Sequence, residues 1–95
     1  MFKKLPPNPP SIVDAEYIKD YDVLVAFDNG EQRIWNGSAS MRAPRAVEYN
    51  SPEEFKKFKF NKGFLYWGNE DDGFQVFYDS IYDFSFPFSA FPISS

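Results

Sequence analysis

Apolar and polar residues alternate most cleanly from Tyr21 to Phe27. Tyr21, Val23, Val25 and Phe27 fall on one side, and Asp22, Leu24 and Ala26 on the other. That period of two is the mark of a half-buried strand. Asp28-Asn29-Gly30 follows as a tight turn, since Asn-Gly accepts the positive φ such a turn needs. Glu31 to Trp35 then reads as the returning strand. Upstream, Ile12 to Ile18 predicts a first strand, with Ile12, Asp14, Glu16 and Ile18 on one side and Val13, Ala15 and Tyr17 on the other. A β-meander therefore opens the domain.

Beyond it the period is lost. Residues 36–50 read as a long loop, with room for a short helical turn or an edge strand at Ala46–Tyr49; loops of this length are often functional. Ser51-Pro52-Glu53-Glu54 has the composition of a helix start: Ser51 caps, Pro52 suits the first turn, and Glu54 reaches back as in a capping box. The helix is expected to end near Phe60, with Phe55 and Phe58 on the sheet and Lys56, Lys57 and Lys59 in water. Phe64–Trp67 and Phe74–Tyr78 read as strands joined by the polar turn 68–73, and 79–83 as a turn or one helical turn. The tail from Phe84 alternates Phe with small residues. Phe84, Phe86 and Phe88 at a period of two suit a last strand, with Phe84 and Phe86 in the core and Pro87 on an edge.

These elements predict an α+β domain: a small antiparallel β-meander sheet, one short packed helix and a Phe-rich C-terminal extension. Residues 1–10 form a Pro-rich arm, either docked or a disordered leader. Residues 11–83 form the single domain, and 84–95 the aromatic tail. Ninety-five residues accommodate no second domain. The prolines at 6, 7, 9 and 10 interrupt any signal-peptide core, and no apolar run approaches the ~18 residues of a membrane-spanning helix. With no cysteine in so small a chain, a reducing cytoplasm is the expected compartment.

Aromatic residues make up 21% of the chain, 12 of them Phe. That exceeds what so small a core readily absorbs, so some rings are expected at a surface. The net charge of −4 is unevenly distributed. Residues 41–62 carry Arg42, Arg45, Lys56, Lys57, Lys59 and Lys62 against three acids, while residues 63–95 carry no base and five acids: Glu70, Asp71, Asp72, Asp79 and Asp83.

The residues now assembled resemble a small bacterial family, the domain of unknown function 2442. Ile12-Val13-Asp14-Ala15 opens the likeness, and the run from Tyr21 to Glu31 supplies its strand, turn and strand. Ser51-Pro52-Glu53-Glu54-Phe55-Lys56-Lys57-Phe58 matches its helix, and Gly63-Phe64-Leu65-Tyr66-Trp67 leads on to Ile81-Tyr82. The likeness spans about residues 11–83. It implies a β-meander with a packed helix, antitoxin-like genomic neighbours and no established catalytic residue. The 36–50 loop lacks the family's usual apolar segment, and the tail after Asp83 is extra.

The absence of His and Cys removes Ser-His-Asp triads, Cys-His dyads and nearly all transition-metal sites. Glycine spacing fits no phosphate loop. Glu70-Asp71-Asp72 offers oxygen ligands, but its spacing is not that of a calcium loop, and a solvated turn explains it. No catalytic residue, metal or cofactor is therefore expected, and the chain reads as a non-enzyme. Three binding roles compete. The first is a protein-binding module that masks or inhibits a partner, toxin-like by the resemblance, through Phe88, Phe91 and Ile93, which could alternatively pair two copies of the chain. The second is an acidic phage-type inhibitor of a host nuclease or CRISPR complex, with Glu70, Asp71, Asp72, Asp79 and Asp83 imitating phosphates. The third is a nucleic-acid regulator using the basic residues 42–59, against which the acidic pI of about 4.6 argues by long-range repulsion.

Overall fold

A computed structural model describes residues 10–88. The chain is α+β and its sheets are antiparallel, as the pattern predicts, but the strands sort into two sheets. Strands β1 (Ile12–Lys19), β2 (Asp22–Phe27), β3 (Gln32–Asn36) and β7 (Ser85–Pro87) form the first, in the order β1-β2-β3-β7. Strands β4 (Lys59–Phe60), β5 (Phe64–Trp67) and β6 (Phe74–Phe77) form the second, in the order β4-β5-β6. Two short 3-10 helices (Ser40–Arg42 and Pro44–Tyr49) and helix α1 (Pro52–Phe55) link the sheets, and helix α2 (Tyr78–Asp83) links β6 to β7.

The alternation of β2 holds: Val23, Val25 and Phe27 are buried. That of β1 does not. Its pairing with β2 shifts register between Ile12 and Asp14 and again between Tyr17 and Lys19, and the first inserted residue moves the side chains from Asp14 to Tyr17 to the opposite face. Ile12 is buried, yet Ala15 and Tyr17 pack on the core while Val13 and Ile18 are exposed. The turn after β2 also differs in detail. Gly30 takes a φ of 91° while Asn29 stays at negative φ. Phe27 accepts from the Gly30 N–H at 3.0 Å and donates to the Glu31 carbonyl at 2.9 Å, so one glycine in the left-handed region closes a three-residue loop.

Helix α1 is a single turn. The Ser51 hydroxyl accepts from the Glu54 N–H at 3.3 Å and Pro52 starts the helix; Glu54 turns to Lys57 rather than back to the cap. The expected extension to Phe60 fails because the backbone at Lys59 and Phe60 pairs with Tyr66 and Leu65 instead. Phe and Lys in so short a run have no helix preference strong enough to resist a ladder. The side chains fall as expected, with Phe55 buried, Phe58 partly so, and Lys56, Lys57 and Lys59 exposed.

Phe55 is the hub of the core. It is 0% exposed, and its ring contacts those of Tyr17, Tyr21, Trp35, Phe58 and Trp67, with centroids 5.0–6.4 Å apart. Its carbonyl accepts the buried Trp67 indole N–H at 2.8 Å. Val23, Met41, Ala46, Leu65 and Ile81 complete the interior, so the 36–50 loop is ordered and supplies core residues from both 3-10 helices.

The tail corrects a second expectation. β7 extends the first sheet past Asp83, but the residue it buries is Ser85; Phe84 is 78% and Phe86 48% exposed. Phe86 pairs with Ile34 in register, on the face of the sheet away from the main core, while Pro87 sits on an exposed edge strand.

Candidate functional site

Two features stand out on the surface. The first is a polar latch that joins α2 and β7 to β3. Arg33 donates from Nε to the Ser85 hydroxyl and from Nη2 to the Ser85 carbonyl, both at 2.7 Å, and from Nη1 to Glu31 at 2.8 Å. Tyr82 donates to the other Glu31 oxygen at 2.8 Å, and the Arg33 guanidinium lies 4.5 Å from the Tyr82 ring centroid. The Ser85 hydroxyl in turn donates to the Tyr82 carbonyl. Hydrogen bonding from Arg33, then from Tyr82, holds the Glu31 carboxyl below its ordinary range, and the same carboxylate raises the Tyr82 phenol. Every strong partner here is satisfied internally, so the network is structural. Sequence reasoning missed it because Glu31 and Ser85 lie 54 positions apart and only the β3–β7 pairing unites them.

The second feature is an open groove of about 830 Å³ running from the end of β3 to β6. One wall carries Trp35, Ala39, Arg42 and Ala43; the other is β6, residue after residue from Phe74 to Phe77. Ser80 and Phe84 close one end. Phe84 reaches it because helix α2 sets residues 80 and 84 four apart, on one face. Phe77, 49% exposed, stands at the rim. Among the lining residues there is no carboxylate, and Arg42 is the one charged group.

The sequence-predicted residues distribute as follows. Glu70, Asp71 and Asp72 lie on the exposed β5–β6 turn, where Glu70 accepts from Asn61 and Asp72 from Asn69. Asp79 and Asp83 lie on α2, Asp79 accepting from the Ser80 N–H. Among the described residues no three carboxylates converge where a cation could sit. The basic residues are spread over both 3-10 helices, the turn after α1, and β4. Arg45 donates to the carbonyls of Asp72 and Gly73, so the basic patch and the acidic turn meet rather than forming separate faces, and Lys57 pairs with Glu54. Phe88 lines a smaller hollow beside Gly30, Arg33 and Pro87. Phe91 and Ile93 lie outside the described residues. The groove itself was not anticipated; the surplus of Phe was its only signal.

No protein-family model, curated protein or solved structure matches the chain. No helix among the described residues is long and apolar enough to cross a membrane.

Proposed function

We propose that this protein is a non-catalytic protein-binding module that masks or inhibits a partner protein in a reducing cytoplasm. The observation that carries this is the display of Phe77 and Phe84 on the rim of one groove. Single exposed apolar residues are ordinary, but grouped rings around a concave surface mark contact sites. Phe86 adds a third exposed ring on the same β6–α2–β7 segment. The resemblance of residues 11–83 to the domain of unknown function 2442, read from the sequence, suggests an antitoxin-like role. The acidic-mimic reading draws on the same region, since Glu70, Asp71, Asp72 and Asp79 flank β6. Direct nucleic-acid binding is less favoured, because Arg45 and Lys57 are engaged within the chain.

The test is affinity capture from native lysate with the unaltered chain and with a Phe77→Ser, Phe84→Ser double variant, whose fold is checked by circular dichroism. A specific partner held by the first and lost by the second is expected. Equal capture by both would remove the groove from the function.

A further inference from the structure

We propose that β6 is a docking edge: an extended segment of a partner protein, apolar in its middle and flanked by lysine or arginine, adds to the second sheet as a fourth strand. This deepens the protein-binding reading and rests on it.

The backbone phase of β6 can be worked out. The Tyr78 N–H donates to the Gly63 carbonyl at 2.9 Å. In an antiparallel ladder hydrogen-bonded pairs alternate with non-bonded ones, so the register Leu65↔Val76 and Trp67↔Phe74 makes those the bonded pairs. The other side of β5 agrees: the Asn61 N–H donates to the Phe64 carbonyl, which directs Phe64 and Tyr66 toward β4 and leaves Leu65 and Trp67 for β6. Gln75 and Phe77 therefore point their N–H and C=O groups away from β5. Among the described residues nothing bonds there to the N–H and C=O of Gln75 or to the N–H of Phe77, whereas the Phe77 carbonyl, at the N-cap of α2, accepts the first bond of that helix; β6 is the last strand of its sheet. Exposed edges of this kind are templates for an added strand.

The groove lies along that edge. Side chains of a strand alternate between faces, so four consecutive residues line one hollow only when it runs beside the strand rather than over one face. Phe74 through Phe77 all line it. The opposite wall supplies apolar contact from Trp35, Ala39 and Ala43, and Arg42, which makes no ion pair in the described chain, can donate to a carbonyl of the incoming backbone.

Charge selects the occupant. Glu70, Asp71 and Asp72 precede β6 and Asp79 follows it. A second copy pairing antiparallel through β6 would set Asp72 of each chain beside Asp79 of the other; residues 63–95 hold no base, and Arg45 beside them bonds backbone carbonyls rather than either carboxylate. Like charges so placed oppose pairing. Four carboxylates at the strand ends outnumber the two guanidinium groups nearby, Arg42 on the far wall and Arg45 on the Asp72 and Gly73 carbonyls, so a segment with basic flanks is attracted and an acidic one repelled.

The test titrates isotope-labelled full chain with a short peptide of alternating valine and threonine flanked by lysines, and with the same peptide flanked by glutamates. Amide shifts and slowed hydrogen exchange are expected at Gln75 and Phe77 with the first peptide, weakening with salt, and binding of the second is expected to be at least about tenfold weaker. Gln75→Pro removes the outward N–H but no ladder bond, so it should fold and lose the response; Gln75→Ala, which keeps the N–H, should retain it. Unprotected Gln75 and Phe77 amides in the unaltered chain, or equal binding of the two peptides, would overturn the proposal whether or not the proline variant folds. A native partner lost by Phe77→Ser, Phe84→Ser but kept by a folded Gln75→Pro would leave the protein-binding reading intact and remove strand addition alone.

Discussion

Replacing Phe55 by alanine should come close to unfolding the protein, while replacing Phe84 by serine should scarcely alter its stability. Phe55 is fully buried and touches five aromatic rings. Its removal forfeits the transfer energy of the ring and opens a hole between the sheets, together about 3–5 kcal/mol. The lost ring–ring geometry contributes within that range, at about 0.5–1.5 kcal/mol for a pair. The surroundings have little freedom to collapse, because Trp67 is held by its indole bond to the Phe55 carbonyl and Trp35 by its pairing with Val23 and Ser85. Small domains have total stabilities toward the low end of about 5–15 kcal/mol, so the variant should be populated unfolded without denaturant or nearly so. Urea unfolding followed by tryptophan fluorescence measures this directly; at a slope of about 1–2 kcal/mol per molar the midpoint should fall by roughly 2–3 M. Phe84, 78% exposed, should stay within about 0.5 kcal/mol of the parent. A Phe55→Ala loss under about 1.5 kcal/mol, or a larger loss at Phe84 than at Phe55, would refute the assignment of hub and rim.

Gly37→Ala should cost about 1–3 kcal/mol by overpacking. Its Cβ would lie 2.7 Å from Phe55 and 2.8 Å from Trp35, and an unchanged thermal midpoint would show that those rings yield freely. The latch should make stability fall in acid. Glu31 has its carboxyl lowered by Arg33 and then Tyr82, so its contribution is present above the ordinary glutamate range and is lost as pH falls through the depressed value. Urea midpoints of the parent and Glu31→Gln should differ at neutral pH and converge in acid; parallel curves would show that the ion pair adds nothing. Ser51→Ala should cost about 0.5–1 kcal/mol, at the low end for a cap, because the bond it removes is 3.3 Å long. A neutral result by chemical denaturation would mean that Pro52 and the packing of Phe55 start the helix unaided.

Local pattern was enough for the α+β class, for β2, β5 and β6, for the helix start at Ser51 and for the burial of Phe55. Each of these rests on neighbours within a few residues: a period of two, a cap beside a proline, a turn glycine. The absence of imidazole and thiol chemistry was likewise legible, being a matter of composition. What escaped depends on partners distant in the chain. The bulge after Ile12 reverses the faces of β1, and only pairing with β2 reveals it. The lysine and phenylalanine run at 56–60 abandons its helix because β5 offers a ladder. Phe84 and Phe86 have the spacing of core residues, yet the sheet's interior was already filled by Phe27, Trp35, Phe55 and Ile81, so the small Ser85 is taken inward to meet Arg33 and the rings are left outside. The groove and the open edge of β6 follow from that same competition for space. Alternation along the chain set which residues can be strands; the tertiary packing decided which strands have neighbours on both sides, and so which edge and which rings face outward.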